Sequence, residues 1–126
     1  MNIDVLVVDN ENVELFVEWL QQSLKLNVIG VRSGILALKF LESNTATLTM
    51  IDLAMAEMDG ITLLRAIRAR EFHGAKEPSE IWIITGQALD TRLLAIASDF
   101  GVHKLLQKPF DFPAIEDEIR SLILTK

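Results

Sequence analysis

The sequence contains no cysteine and no tyrosine, and no part of it approaches the roughly 18 consecutive apolar residues that a membrane-spanning helix requires. Without cysteine, the chain forms no disulfide and offers no thiolate to a metal ion, which fits a reducing compartment. The N-terminal segment also lacks the basic stretch and the long apolar stretch of a secretory signal. We therefore expect a cytoplasmic protein without a membrane partner.

Basic residues are scarce as well, since 12 Lys and Arg stand against 18 Asp and Glu, for a formal net charge of −6 at pH 7. Nucleic acids are bound by basic surfaces, so direct binding of nucleic acid is not expected. The length of 126 residues fits a single domain, residues 1–126, with a core of its own. The sequence ends soon after the last helical segment, so we expect that an effector domain is absent from this chain or was removed from it.

Apolar segments of strand length alternate with longer segments of helical periodicity, which is typical of βα units around a parallel sheet. The predicted fold is α/β, a (βα)5 doubly wound, five-stranded parallel sheet in three layers with strand order 2-1-3-4-5. The predicted strands cover residues 3–9, 26–31, 46–52, 80–85 and 103–107. The first predicted helix covers residues 11–24, and the second is capped by Ser33 and extends to about residue 42. The third follows the Asp59-Gly60 turn and extends to about residue 70. The fourth extends from Asp90 or Thr91 to Gly101, and the fifth follows Asp111.

Polar side chains stand at the carboxyl ends of four predicted strands, namely Asp9, Asp52, Thr85 and, just after the fifth strand, Lys108. In this topology the first and third strands are neighbours at the point where the strand order reverses, and sites in parallel α/β sheets form there. We therefore expect Asp9 and Asp52 to face each other. Two adjacent carboxylates raise each other's pKa unless a cation lies between them, and Mg²⁺ prefers such oxygen ligands.

The two other groups suit phosphoryl chemistry. Lys108 adds a compact positive charge that can bind a phosphoryl oxygen, and Thr85 offers a small hydroxyl donor. A carboxylate beside a metal ion, an ammonium and a hydroxyl can attack a phosphoryl group while the cations neutralise the transferring oxygens. The strand ends therefore predict a phosphoryl-acceptor site.

Four motifs, in this order and at this spacing, resemble the receiver domain of bacterial two-component response regulators over nearly the whole chain. The motifs are VLVVDNE at residues 5–11, MIDLAMAEMDG at 50–60, IWIITG at 81–86 and LLQKPFD at 105–111. Most of the specificity of the resemblance comes from two features. The first is Asp52 with Met58-Asp59-Gly60 further along the chain, and the second is Lys108-Pro109-Phe110. The resemblance implies a flavodoxin-like arrangement of the sheet, often with a cis bond between Lys108 and Pro109.

The resemblance implies a role for each matching position. Asp52 would be the phosphoacceptor, Lys108 would bridge to the phosphoryl group, and Thr85 would be the switch hydroxyl that moves to bind it. The donor would be a phosphohistidine on a sensor histidine kinase or on a histidine phosphotransfer protein. The domain would be no enzyme beyond phosphorylating and dephosphorylating itself, and it would act on a downstream protein partner or as a homodimer.

The resemblance also implies a Mg²⁺ site. Asp9, Asp52 and the backbone carbonyl of Ala54 would help to hold the ion. Asn10 stands where the family usually carries a second acid that ligates the metal directly, so the position keeps an oxygen but loses a charge. We therefore expect weaker Mg²⁺ binding than the family usually has.

Two further positions depart from the family pattern. Ala56 stands where a proline is common, and Leu105 stands where an aromatic ring often swings inward with the switch hydroxyl. Without that ring, output is expected to travel through backbone or helix shifts. The usual output face of the family corresponds to residues 88–101 and 103–107.

Three alternatives remain open. A degenerate receiver would keep the fold and act as a phosphorylation-independent interaction or dimerisation module, as Asn10 and Leu105 suggest. A phosphatase with a nucleophile at Asp9 would need Asp-x-Asp-x-Thr, whereas residues 9–13 read Asp-Asn-Glu-Asn-Val. A flavin-binding protein is less favoured still, because the first loop is not rich in Ser, Thr and Gly.

Overall fold

The computed structural model describes residues 1–54 and 58–124, in which strands and helices alternate from β1 to α5. The departure predicted at Ala56 lies outside the described residues. No helix in the described ranges is both long and apolar enough to span a bilayer. The elements are β1 (Asn2–Val8), α1 (Val13–Leu24), β2 (Val28–Val31), α2 (Gly34–Leu41), β3 (Thr45–Asp52), α3 (Gly60–His73), β4 (Glu80–Thr85), α4 (Thr91–Asp99), β5 (Lys104–Gln107) and α5 (Phe112–Leu124).

The five strands form one parallel sheet in the order β2-β1-β3-β4-β5, which confirms the predicted flavodoxin-like topology. Val8 of β1 lies opposite Ile51 of β3, and the next residue of β3, Asp52, lies opposite Ile84 of β4. This register brings the carboxyl ends of β1, β3 and β4 to one edge of the sheet.

Apolar side chains cover both faces of the sheet, because the strands are nearly continuous in apolar residues. Helices α1 and α5 pack on one face through residues such as Phe16 and Ile119. Helices α2 and α3 pack on the other face through residues such as Ala37 and Leu64. The three layers predicted from the sequence are therefore confirmed, and the two apolar layers hold the strand ends in place.

The start of α1 differs from the prediction for a local reason. Oδ1 of Asp9 accepts hydrogen bonds from the backbone N–H groups of Glu11 (2.8 Å) and Asn12 (3.0 Å). An aspartate that bonds the backbone two and three residues ahead stabilises a turn. As a result β1 ends at Val8, and α1 begins at Val13 rather than at residue 11.

The start of β2 is displaced by the end of the preceding helix. Lys25 takes a left-handed conformation (φ 58°), and its backbone N–H donates to the carbonyl of Leu20. Such a residue ends a helix by satisfying a carbonyl that has no partner within it. The chain therefore uses two more residues to turn, and β2 starts at Val28 instead of residue 26.

Candidate functional site

Asp9 lies directly after β1, and its side chain is fully buried. Oδ1 is held by the two backbone N–H groups described above, whereas Oδ2 accepts no hydrogen bond from the described residues. The nearest positive charge, Nζ of Lys108, lies 3.5 Å from Oδ2. A buried charge is costly unless it is paired and hydrogen-bonded, so this ammonium and the two backbone N–H groups together stabilise the Asp9 carboxylate.

Asp52 is the last residue of β3 and is also buried. Its Oδ1 accepts a hydrogen bond from the backbone N–H of Ala54 (3.1 Å), and its Oδ2 lies 3.4 Å from Nζ of Lys108. The carboxylate is therefore oriented by the turn that follows the strand and by the lysine of another strand end.

The Met-Asp-Gly motif places the start of α3 against the backbone of Asp52. Asp59 caps the helix, because its Oδ1 accepts from the backbone N–H of Thr62 (2.8 Å). A Cβ atom on Gly60 would lie 2.7 Å from the backbone oxygen of Asp52, a separation that only glycine avoids. The predicted turn is thus the first step of the helix, and its glycine allows the helix to approach the backbone of Asp52.

Lys108 is held at both of its ends. Its backbone N–H donates to the carbonyl of Thr85 (2.7 Å), and its peptide bond to Pro109 is cis, as the resemblance implies. Its ammonium lies between Asp9 and Asp52, and a quarter of its side chain is exposed. The structure therefore brings together the two acids and the lysine that the strand ends predicted.

Thr85 is the last residue of β4 and is 1% exposed. Its hydroxyl oxygen accepts a hydrogen bond from the backbone N–H of Gln87 (3.0 Å). The hydroxyl thus lies at the predicted edge of the sheet, where it holds the start of the loop that leads to α4. Its role as a switch stays a prediction.

Burial raises the pKa of Asp52, and the negative charge of Asp9 adds to the rise. The backbone N–H of Ala54 and the ammonium of Lys108 act in the opposite direction. The carboxyl group of Asp52 is therefore protonated more readily than that of an exposed aspartate. Any additional cation near it would favour the ionised form.

The oxygen donors at this edge fit a hard divalent cation. Oδ1 of Asn10 is buried and, like Oδ2 of Asp9, has no hydrogen-bond partner within the described part of the chain. Mg²⁺ prefers such oxygen ligands and requires few protein carboxylates. The described residues contain no group of three or more His, Asp and Glu side chains that could hold a metal, and at this edge they offer such an ion two carboxylates, Asp9 and Asp52. A ligand role for the carbonyl of Ala54 stays a prediction.

An aromatic cluster beside the site was not predicted. Neighbouring rings in the cluster have centroids 4.4–6.4 Å apart, and the rings are those of Phe16, Trp19, Phe110 and Phe112. Trp19 and Phe112 are stacked, with centroids 4.4 Å apart. Nε1 of Trp19 also donates to Oε1 of Glu116 (2.8 Å), which joins α1 to α5. The sequence signal was the pair of phenylalanines that flank Asp111, but the ring contacts depend on how α1 packs beside the β5–α5 turn.

Leu105, the position without the usual ring, is half-buried and packs on the apolar layer shared by α2 and α3. On the neighbouring helix α4, the side chain of Leu94 is 50% exposed. These placements are compatible with the predicted output face and do not test it.

The comparisons with known proteins agree with this fold. The structure of a response regulator receiver protein from Pseudomonas putida superposes with a TM-score of 0.78, is 26% identical and covers 100% of this chain and 98% of that chain. A response regulator receiver domain from Methylobacillus flagellatus gives a TM-score of 0.77 at 22% identity, over 97% of this chain and 99% of that one.

The family model described as "Response regulator receiver domain" matches residues 5–120, and this chain belongs to that family. Ethylene receptor 2 of Arabidopsis thaliana is 26% identical over 129 residues. That match covers 97% of this chain but only 16% of the receptor, so the chain spans a small part of the length of that relative. Membership in the family places the chain in two-component signalling, where receiver domains interact with histidine kinases or phosphotransfer proteins and typically bind Mg²⁺.

Proposed function

We propose that this receiver domain accepts a phosphoryl group on Asp52 from a phosphohistidine donor, in the cytoplasm and with Mg²⁺, and that phosphorylation switches its binding to a protein partner. The observation that carries the proposal is the position of the Lys108 ammonium, 3.4 Å from Asp52 and 3.5 Å from Asp9. Two buried carboxylates that share one cation are a poor arrangement for stability, because both charges have lost their hydration. The arrangement suits a reaction that brings further cations and a phosphoryl group.

The proposed transfer is a displacement at phosphorus. A carboxylate oxygen of Asp52 attacks the phosphorus atom of phosphohistidine, and an acyl phosphate forms as the P–N bond breaks. The imidazole leaves with the bonding electron pair and takes up a proton from water. The domain itself carries the product, so we regard it as a phosphoacceptor and not as an enzyme that acts on other molecules.

The residues around Asp52 divide the work. The backbone N–H of Ala54 orients the carboxylate, and Lys108 is placed to bind an oxygen of the phosphoryl group. When bound at Asp9, Asn10 and Asp52, Mg²⁺ supplies positive charge that stabilises the transferring oxygens. Because Asn10 carries no charge, Lys108 provides a larger share of the positive charge that neutralises the phosphoryl oxygens. Its share would be smaller if residue 10 were an acid like Asp9 and Asp52.

The switch is proposed to start at Thr85. Phosphorylation adds roughly two negative charges at Asp52, and the Thr85 hydroxyl can then donate to a phosphoryl oxygen. At present that hydroxyl accepts from the backbone of Gln87, so its movement would alter the loop before α4. The exposed Leu89 and Leu94 lie on this loop and helix, and they support a protein-binding surface there.

The direct test is incubation of the protein with phosphoramidate and Mg²⁺, followed by intact mass measurement. We expect one added phosphoryl group on the parent chain and none on Asp52→Asn. Asp59→Asn is the matched control. It makes the same chemical change at the residue that caps α3, and it leaves Lys108 and Asp52 in place. Modification of Asp52→Asn to the parent level would show that another residue accepts the group.

The second candidate is a degenerate receiver that works as an interaction or dimerisation module, which the uncharged Asn10 favours. It predicts no modification by phosphoramidate or by a histidine kinase, no Mg²⁺ binding at millimolar concentration, and unchanged cellular output in Asp52→Asn. That combination of results would replace the phosphoacceptor proposal.

A further inference from the structure

A cavity of about 100 Å³ lies at the edge of the sheet opposite to Asp52. It is bounded by the start of β3 and by the carboxyl ends of α2 and α3, and its apolar wall includes Leu41, Ala46 and Ile67. Thr49, which lines it, is three residues before Asp52 in β3, so about 10 Å of strand separates the cavity from the phosphorylation edge.

Thr49 is a polar residue in an apolar layer. Leu48 and Met50 face α1 and α5, so the alternation of the strand turns Thr49 toward α2 and α3, among side chains such as Ile51 and Ile81. It is 2% exposed and lines the cavity. A hydroxyl that lines a cavity can donate a hydrogen bond to a molecule bound there.

The charges around the cavity are predominantly positive. Glu71 is already engaged, because its Oε1 lies 2.7 Å from Nη1 of Arg68 and its Oε2 accepts from the backbone N–H of Ser79 (3.0 Å). Arg70 and Lys76 also line the cavity, and neither forms an ion pair with a carboxylate of the described residues. One guanidinium nitrogen of Arg70 donates to the carbonyl of Leu38, and its other donors bond to none of the described residues.

The backbone places Lys76 at this position at a conformational cost. Ala75 is in the left-handed region with φ 53°, which a residue with a side chain adopts rarely. The turn lets the backbone N–H of Lys76 donate to the carbonyl of Glu71 (2.9 Å), so the chain folds back onto the end of α3. The backbone of Lys76 is thus held beside the cavity by the same turn that ends the helix, and its side chain is exposed.

We propose that this cavity binds a small organic anion, namely a carboxylate with a short apolar body. The apolar part would contact Leu41, Ala46 and Ile67, while the carboxylate would pair with Lys76 and Arg70 and accept a hydrogen bond from Thr49. This combination of an apolar wall with a few converging polar groups is typical of small-molecule sites. The site is separate from Asp52 and does not depend on phosphorylation.

The test is a titration of the ¹⁵N-labelled protein with sodium isobutyrate, followed by amide chemical shifts. We expect saturable shifts at Thr45, Ala46 and Ser79 with a Kd near 1 mM, a weak affinity that suits so small a ligand. Lys76→Gln should weaken binding about tenfold, the equivalent of about 1.4 kcal/mol. Lys39→Gln, which removes an exposed charge outside the cavity, should leave the Kd unchanged.

Three results would overturn the proposal. The first is an absence of saturable shifts, and the second is an equal Kd in the parent and Lys76→Gln. The third is the same saturation with sodium chloride at equal ionic strength, because the apolar wall would then contribute nothing. Thr49→Val provides a second check, since it removes the hydroxyl at nearly constant volume and should weaken isobutyrate binding while the remaining spectrum stays that of the folded protein.

Discussion

Asn10→Asp adds a charge that this site lacks, and Mg²⁺ should reduce what that charge costs in stability. The new carboxylate would join Asp9 and Asp52, which are buried and already share the single ammonium of Lys108. One uncompensated pair of unit charges about 4 Å apart costs up to about 4 kcal/mol at an effective dielectric of 20. Solvent at the partly exposed Lys108 and partial protonation reduce this cost, so we expect a loss of about 1–2 kcal/mol without Mg²⁺.

Mg²⁺ should offset part of this loss. If the substitution tightens the Kd tenfold, from about 10 mM to about 1 mM, the stabilisation at 10 mM Mg²⁺ rises from about 0.4 to about 1.4 kcal/mol. The free energy of unfolding should therefore respond to Mg²⁺ by about 1 kcal/mol more in Asn10→Asp than in the parent.

Urea denaturation followed by circular dichroism, with and without Mg²⁺, measures both effects in one series. Asn27→Asp is the matched control, because it introduces the same charge in an exposed residue at the opposite edge of the sheet. Its response to Mg²⁺ should equal that of the parent. An equal Mg²⁺ response in the parent and in Asn10→Asp would refute the reasoning, since residue 10 would then not contribute to metal binding.

Three further predictions concern stability. Because burial raises the pKa of Asp52, the native state binds that proton more tightly than the unfolded state, and stability falls as the pH rises from 3.8 through the raised pKa. Asp52→Asn should therefore be more stable than the parent at pH 7 and lose this advantage in acid; an advantage that is constant with pH would contradict this. Trp19→Phe should cost about 1 kcal/mol in urea denaturation through loss of the hydrogen bond to Glu116, and Glu116→Gln, which keeps an acceptor, should cost less. Leu64→Ala, at a fully buried position, should lower the free energy of unfolding by about 2–5 kcal/mol. A loss below about 1 kcal/mol would show that the side chains under α3 can close the space that the substitution leaves.

The positions of the main site residues were predictable because each stands at the carboxyl end of a strand or directly after it. In a parallel sheet, strand ends meet at one edge whatever the details of packing, so Asp9, Asp52 and Lys108 had to approach one another once the strand order was known. Thr85 was placed by the same reasoning. What the sequence could not show is how Asn10 is placed, because the burial of its oxygen without a partner depends on the turn that Asp9 imposes on the next residues.

Element bounds and side-chain clusters were less predictable for physical reasons. Helical periodicity extends α1 back to residue 11, but two hydrogen bonds to a side chain compete with the helix and delay its start to Val13. The stacking of Trp19 on Phe112 joins residues that are far apart in the chain, and no local pattern specifies that contact. The cavity beside Thr49 has the same origin, since it depends on where two helices end relative to one strand.

The tryptophans give the domain a one-sided optical signal. The sequence has two tryptophans and no tyrosine, so near-ultraviolet emission comes almost entirely from Trp19 and Trp82. Both belong to the apolar layer beneath α1 and α5, whereas the layer beneath α2 and α3 contains neither. Intrinsic fluorescence therefore monitors one face of the sheet and is insensitive to the other. A change in emission after phosphoryl transfer would assign the movement to the α1–α5 side without any added label.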